Sequence, residues 1–522
     1  MTSSDRTDEL SERPALPTPP PGDTVVVPAD EDPVAAAASE VFGGPPGRRA
    51  LLGVGWWTAA RVLAVCTIAV FALGMVQKVP CYNSGWFYGA TAQYDHACYS
   101  DIPHLFTLRG IANGDFPYLH QIPGASADMK YLEYPVLTGL FMWIAGKFTP
   151  TTGGDVHREQ IFWLVNAGML LVCAVITVIA LSRTHRRRPW DALLFALAPV
   201  LALDSTINWD LLAVALTAVG MALWARRSVA WAGVLLGLAT AAKLYPVFLF
   251  GPLLVLCLRA GRMRDFAQAF GAAALAWLAV DLPFMIANFD GWATFYRFSQ
   301  TRGIDYGSFW LILSQNGLIN LDTDTVNTLI TLLLGVCCLG IAWLALAAPR
   351  RPRFAQLAFL VIAAFVLTNK VYSPQYVLWL TPLAALARPR WRDFLVWQAT
   401  EVLYFLAIWY NLAYNSGSSQ KGLPNDWYHA AIAVHILGTL YLVAMIVRDA
   451  LAPENDPVRL DGSDDPSGGP LDGAADVRVL GHRGHAAAPA RYGFDKAIDG
   501  ASELLGRPGH VHDAVEQGGG VA

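Results

Sequence analysis

Long apolar runs recur along most of the chain, and arginine clusters separate many of them. A run of about 20 apolar residues is long enough to cross a bilayer as a helix. Charged residues make up only 15% of the chain, whereas soluble domains carry about 25%. This composition excludes a cytosolic enzyme, and without a clustered excess of Lys and Arg we expect no nucleic-acid partner. The sequence predicts an all-α polytopic membrane protein.

The arginine clusters predict how the spans are oriented, because short cytoplasmic loops carry an excess of Lys and Arg. Placing every cluster inside predicts about twelve spans with both termini cytoplasmic. These spans are 51–74, 160–182, 190–204, 208–225, 229–243, 246–258, 265–286, 326–347, 354–369, 374–388, 393–412 and 428–448. Two large loops, 75–159 and 287–325, then lie outside. The apolar stretch 134–148 becomes an interfacial or re-entrant helix, since counting it as a span would reverse every later cluster.

The two ends of the chain differ in composition from the middle. Residues 1–47 are rich in Pro, Ser, Asp and Glu, and residues 451–522 are rich in Gly, Asp, Ala and Pro. Neither stretch has the apolar period of a packed domain. We therefore predict a transmembrane domain at 48–450 between two disordered cytoplasmic segments.

The seven cysteines show no ligand spacing for a structural zinc site, and we predict no metal-binding residues. Cys81 and Cys98 differ from the others because both lie in the first polar loop. If that loop faces an oxidising compartment, the two thiols are candidates for a disulfide. Sequence alone leaves the free-thiol state equally open, because it does not give the separation of the two Cα atoms.

The first outer loop carries an acid, Asp101, soon after the first span, and an aromatic-Pro helix start at Tyr134 and Pro135. This order is typical of an active site at a membrane surface. The alternative is that Asp101 merely caps a short helix, because Asp is a favoured N-cap residue and Pro103 suits a first helical turn.

Two later connectors each place a lysine and a tyrosine before a proline that begins the next helix. They are Lys243-Leu244-Tyr245-Pro246 and Lys370-Val371-Tyr372-Ser373-Pro374. A lysine beside a helix N-terminus suits an anion such as a lipid phosphate. The alternative for any single residue is solvation of a loop or snorkelling to the interface.

Five motifs together resemble glycosyltransferase family 87 of the GT-C superfamily. They are Tyr99-Ser100-Asp101, Tyr131-Leu132-Glu133-Tyr134-Pro135, Asn208-Trp209-Asp210, Ala241-Ala242-Lys243-Leu244-Tyr245-Pro246 and Ser373-Pro374-Gln375-Tyr376-Val377-Leu378-Trp379. The resemblance covers about 51–448. It implies a GT-C-type helix bundle with a large first extracytoplasmic loop. It also implies an enzyme that transfers a sugar, mannose first and arabinose next, from a polyprenyl-phosphate donor to a lipid-linked or cell-envelope glycan.

The resemblance also implies roles for individual residues. Asp101 matches the carboxylate that acts as general base in an inverting displacement, and cations stabilise the departing phosphate. We expect the donor phosphate or lipid to bind at Lys243, Lys370, Tyr372, Arg297, Arg302 and Arg109. We expect the other substrate contacts at Glu133, Tyr134, Asn208, Asp210 and Gln375. Asp101 stands without an adjacent second acid, whereas some GT-C relatives have an acidic pair there, which argues against a divalent metal, and we expect no cofactor.

The competing hypothesis is a transporter or flippase of a lipid-linked saccharide in the cell membrane. Such a protein also needs polar cavities and lysine sites, but it often has an internal repeat. The long first loop has no counterpart in the second half of the chain. The sequence therefore favours the transferase, as a multi-pass protein of the cell membrane that builds envelope lipoglycans with its active site outside.

Overall fold

A computed structural model describes residues 25–47, 57–125, 129–418, 421–460 and 462–480, and within these ranges the chain is helical with no strand. Numbered in chain order, the first ten α-helices are α1 (Pro28–Glu31), α2 (Pro33–Gly47), α3 (Ala59–Gln77), α4 (Val79–Ser84), α5 (Ala92–Asp95), α6 (Asp101–Leu108), α7 (Val136–Lys147), α8 (Asp155–Thr184), α9 (Leu193–Ala196) and α10 (Pro199–Asp204). The others are α11 (Asp210–Ala225), α12 (Val229–Ala242), α13 (Phe250–Arg259), α14 (Met263–Ala287), α15 (Phe289–Thr301), α16 (Phe309–Gln315), α17 (Thr323–Ala347), α18 (Phe354–Thr368), α19 (Val377–Ala387), α20 (Trp391–Asn415) and α21 (Asn425–Leu451).

Five helices, α3, α8, α14, α17 and α21, are long and apolar enough to cross a membrane by length and composition. α14 and α17 expose much of their apolar surface, including Leu275 and Leu339, each more than 70% exposed. Exposed apolar faces of this length are stable in lipid and not in water. The chain is therefore a membrane protein, as its composition predicted.

The shorter helices occupy the interior. α18 and α19 are buried along nearly their whole length, and their side chains are almost all apolar. Short helices that would not match the bilayer on their own are tolerated where protein surrounds them. They place the connectors at their ends deep inside the molecule.

Glycine allows α12 to lie directly against α14. A Cβ atom on Gly233 would lie 2.1 Å from the carbonyl oxygen of Ala269, and one on Gly237 would lie 2.2 Å from that of Ala273. Small residues four apart let two membrane helices approach backbone to backbone. The other end of α12 is held by Thr138 of α7, whose hydroxyl donates to the carbonyl of Ala242 at 2.6 Å. The position of Lys243, the next residue, follows from these contacts.

The segment 452–480, which we call the strap, departs from the sequence prediction. A disordered tail was predicted from 451, but the strap packs on the helices, and Val458 and Leu471 are fully buried in it. Asp456 accepts from Arg353 at 2.7 Å, and Asp476 accepts from Arg259 at 2.7 Å. The prediction is wrong for 452–460 and 462–480, because acidic side chains bind the strap to arginines of the helices without an apolar period in its sequence.

The amino-terminal segment shows a similar departure. Residues 25–47 fall in the predicted disordered arm but contain α1 and α2. Glu31 pairs with Arg188 at 2.7 Å, and the carboxylate of Asp32 accepts from the backbone N–H of Trp391 at 2.9 Å. The remainder of the predicted disorder, 1–24, 461 and 481–522, lies outside the described residues.

Candidate functional site

The start of α6 is fixed to the connector between α10 and α11. Ser100 is the N-cap residue of α6, because its side chain accepts from the backbone N–H of Ile102. The Ser100 hydroxyl also donates to the carbonyl of Thr206 at 2.6 Å, and the N–H of Asp101 donates to that of Ile207 at 2.8 Å. Ser100 therefore caps α6, and the Asp101 side chain is not needed for capping.

The carboxylate of Asp101 receives a hydrogen bond on each oxygen. Tyr99 donates its hydroxyl to Oδ1 at 2.7 Å, and Asn208 donates Nδ2–H to Oδ2 at 2.9 Å. Asn208 also donates to the hydroxyl of Tyr134 at 2.7 Å. Burial raises the pKa of Asp101, while the two hydrogen bonds and Lys243 act in the opposite direction. A carboxylate with a raised pKa is a better proton acceptor than one in water.

A cation lies over the ring of Tyr134. The ammonium of Lys243 is 5.4 Å from the centre of the Tyr134 ring and 3.3 Å from Oδ1 of Asp210. The indole of Trp379 also donates to Oδ1 of Asp210, at 2.8 Å. The second oxygen of Asp210 is buried and has no hydrogen-bond partner among the described residues. Three predicted site residues, Asp101, Asn208 and Lys243, thus surround Tyr134.

Aromatic rings line this cluster. The ring of Trp379 stacks between those of Tyr245 and Tyr376, with centres 4.7 Å and 4.0 Å away. Tyr134 meets Trp209 edge to face at 5.4 Å. Apart from Tyr134, these rings were not among the predicted site residues, although their motifs had been singled out. Flat aromatic faces pack well against the apolar faces of other groups, including sugars.

A second group of cations adjoins the first. The guanidinium of Arg302 donates Nε–H to Asp305 at 2.9 Å and interacts electrostatically with Tyr376 and Tyr134. Lys370 donates to the carbonyl of Gln300 at 3.1 Å and to Oδ1 of Asn327 at 2.6 Å. The connector before α19 therefore meets α15 and α17 at this point. Asn327, which fixes Lys370, is a residue that the sequence motifs did not reveal.

Other predicted site residues lie in different surroundings. Arg109 and Glu133 pair with each other at 2.6 Å, so each satisfies the charge of its partner. Arg297 is 56% exposed and pairs with Asp290. The buried hydroxyl of Tyr372 lies 3.4 Å from Thr439 of α21, within the core. Gln375 lies between Pro374 and Tyr376 in a 3-10 turn before α19, and its side chain is buried.

A disulfide joins Cys81 of α4 to Cys98, with their Cα atoms 5.8 Å apart. It ties the end of α3 and α4 to the chain just before Asp101. As for metals, within the described ranges no three His, Cys, Asp or Glu side chains come together in a group that could hold an ion.

Part of the chain matches a known protein family. The model of glycosyltransferase family 87 matches residues 131–368. No curated protein was found to match the chain in sequence. One solved structure that aligns with it is ArnT from Cupriavidus metallidurans bound to undecaprenyl phosphate, at 13% identity and a TM-score of 0.37, covering 72% of this chain and 77% of that one. Another is the oligosaccharyltransferase of Archaeoglobus fulgidus in the apo form, at 10% identity and a TM-score of 0.35, covering 75% of this chain and 55% of that one.

The matched segment contains three of the motifs on which the resemblance was based, at Tyr131–Pro135, Asn208–Asp210 and Ala241–Pro246. Their side chains meet around Tyr134 in the structure. The chain is thus a membrane protein whose residues 131–368 match glycosyltransferase family 87, as its motifs predicted.

Proposed function

We propose that this membrane glycosyltransferase transfers a sugar from a polyprenyl-phosphate donor to a lipid-linked or cell-envelope glycan. Mannose is the first choice of sugar and arabinose the second. The observation that supports the proposal most directly is that a carboxylate and a cation lie at the same tyrosine: Asn208 links the half-buried Asp101 to the hydroxyl of Tyr134, and Lys243 lies 5.4 Å from the centre of that ring. A base for the acceptor and a positive charge for the leaving group are the two requirements of this transfer.

The proposed reaction is a single displacement with inversion at the anomeric carbon. Asp101 takes the proton from the acceptor hydroxyl while the oxygen of that hydroxyl attacks the anomeric carbon. The bond from that carbon to the phosphate oxygen breaks, and the polyprenyl phosphate leaves with the bonding electrons. Lys243, Arg302 and Lys370 stabilise the charge that grows on the phosphate.

The apolar chain of the donor is proposed to lie against α14 and α17. Both helices contact the short helix α13, and both expose large apolar side chains such as Leu282 and Leu332. Gln300, just before the end of α15, and Asn327 of α17 hold Lys370 at one end of these helices. A lipid chain along the exposed faces would bring its phosphate to these cations.

We also propose the finer topology, with twelve spans and the site outside the cell membrane. Each of the twelve predicted spans contains helix in the structure wherever it is described. The arginines of several connectors gather at one end of the bundle, where Arg188, Arg259 and Arg353 contact residues 25–47 and the strap. α18 runs from Arg353 at this end to the connector that holds Lys370. By the positive-inside rule this end is cytoplasmic, and α7 lies at the outer interface.

Sugar transfer in proteoliposomes tests the proposal. Radiolabelled polyprenyl-phosphate mannose, or separately arabinose, is supplied with an envelope-lipid extract as the acceptor. Asp101→Asn keeps the size of the side chain and removes the base, so we expect transfer to fall by at least about 100-fold. Asp155→Asn changes an acid that is 64% exposed at the start of α8 and is the matched control, with unchanged transfer expected.

Two outcomes would contradict the proposal. Transfer by Asp101→Asn at the rate of the unmodified protein would show that Asp101 is not the base. Failure of the unmodified protein to transfer either sugar, together with protein-dependent movement of the labelled lipid across the bilayer, would favour the flippase.

A further inference from the structure

The chain just before Asp101 is held by the end of α3. Gln77 donates its side-chain N–H to the carbonyl of Ala97 at 2.7 Å, and the buried ammonium of Lys78 donates to that of Tyr99 at 3.1 Å. The disulfide at Cys98 anchors the residue between them. The chain is therefore held at Ala97, Cys98 and Tyr99.

Aromatic contacts fix the ring of Tyr99. It stacks on Trp409 of α20 with centres 4.6 Å apart and planes 20° apart. Tyr94 lies parallel to it at 6.1 Å, and Phe87 meets it edge to face at 5.6 Å. Because the backbone of Tyr99 is held and its ring is packed between other rings, the side chain has little rotational freedom. The direction of its hydroxyl is therefore set before any substrate binds.

The hydroxyl of Tyr99 points to Oδ1 of Asp101 at 2.7 Å. Burial, and then the nearby charge of Asp101, raise the pKa of Tyr99 well above its usual value, so the hydroxyl keeps its proton and acts as the donor. Among the described residues, Tyr99 and Asn208 are the only donors to this carboxylate. With one bond on each oxygen, the carboxylate cannot rotate without breaking both.

We propose that Tyr99 is a positioning residue, which orients the Asp101 carboxylate and favours its ionised form by donating to Oδ1. This inference rests on the proposed function, in which Asp101 is the base. Other groups also act on the carboxylate: Lys243, Asp210 and Asn208 affect its ionisation most. Arg109, Tyr94 and Tyr134 interact with it electrostatically. Among the described residues, only Tyr99 donates a hydrogen bond to Oδ1, so the Tyr99 hydroxyl is the group to remove.

The test is the pH dependence of transfer by Tyr99→Phe, which keeps the stacked ring and loses the donor. A hydrogen bond to a carboxylate stabilises its ionised form, so its loss should raise the pKa of Asp101. We expect the acidic limb of kcat/KM to move to higher pH by about 1 unit. The KM for the donor should be unchanged, because Tyr99 is not proposed to touch the donor. Tyr94→Phe removes a hydroxyl from the same aromatic group and should leave the profile where it was.

A second variant gives the opposite sign and keeps the ring and its hydroxyl. 3-Fluorotyrosine at position 99 makes the hydroxyl a stronger donor, so the acidic limb should move to lower pH. This arm also remains available if Tyr99→Phe does not fold. Superimposable profiles for Tyr99→Phe, the fluorinated protein and the unmodified protein would overturn the inference, as would an equal shift with Tyr94→Phe.

The controls separate this inference from the proposed function. If Asp101→Asn abolishes transfer while the profiles of both Tyr99 variants stay in place, only the positioning role fails. If Asp101→Asn remains fully active, the base assignment itself fails, and the inference about Tyr99 fails with it.

Discussion

Replacing Asp456 of the strap should destabilise the whole membrane domain. Its carboxylate is fully buried and accepts from Arg353 Nε at 2.7 Å and Nη2 at 2.9 Å. It also accepts from Gln356 at 3.2 Å. Arg353 in turn donates to the carbonyls of Leu386 and Ala387 at the end of α19. The pair therefore joins the strap to α18 and α19 at once.

The size of the effect follows from what Asp456→Ala leaves behind. Arg353 is fully buried, and Arg459, also buried, lies 3.8 Å from the lost carboxylate. Two cations would then face each other without the anion between them. Breaking a buried ion pair by removing one partner costs about 3–5 kcal/mol. The double variant Arg353→Met with Asp456→Leu removes both charges and should recover much of the loss, because apolar pairs often replace buried ion pairs without cost.

The assay is thermal unfolding of the purified protein in detergent. The fraction of protein that remains monodisperse is measured at each temperature, and it gives the midpoint of unfolding. Glu454→Ala is the matched control, because Glu454 is an exposed acid two residues earlier in the strap, and exposed substitutions change stability by at most about 0.5 kcal/mol. We expect Asp456→Ala to unfold well below the control. Equal midpoints for the two variants would refute the conclusion that the strap is part of the folded domain.

Three further predictions concern other contacts. Burial alone would raise the pKa of Asp456, but Arg353 holds that pKa below the usual 3.8. The stabilisation by this pair should therefore persist above pH 3.8 and be lost as the pH falls below it. A series of unfolding midpoints measured at different pH values checks this. Cys98→Ser opens a disulfide between residues 17 apart and should cost about 3 kcal/mol, measured as a lower midpoint that matches that of the reduced protein. Gly237→Ala forces a Cβ to within 2.2 Å of the Ala273 carbonyl oxygen and should cost about 1–3 kcal/mol of stability. Gly271→Ala is the control, because Gly271 has open space around it and the change should not destabilise the protein. Equal unfolding midpoints for the two variants would contradict the close crossing of α12 and α14.

The helices and the centre of the candidate site were accessible from sequence because each depends on a local pattern. Apolar runs mark helices, and short connectors bring alternate helix ends to the same side of the molecule. Asp101, Asn208 and Lys243 lie at such ends, and the structure brings them together around Tyr134. Their motifs were visible one by one, and their order and common side, together with the resemblance to family 87, grouped them.

Contacts between distant segments were not accessible in the same way. Trp409 packs on Tyr99 from more than 300 residues away, and Asp476 reaches Arg259 across 217 residues. Neither pairing leaves a periodic trace in the sequence. The strap was missed for this reason, since its Gly, Pro and Asp composition is also that of a disordered chain.

The partners of the site cations bear on how the proposed transfer would gain its rate. Lys243 pairs with Asp210, and Arg302 pairs with Asp305, so neither cation is left buried without an anion. A donor phosphodiester carries one negative charge, and the departing phosphate monoester carries more. Cations already paired with carboxylates attract the donor less than bare cations would, yet they remain in place as charge grows on the phosphate. Because only stabilisation that increases toward the transition state raises kcat, this pairing favours the transfer step over tight binding of the donor.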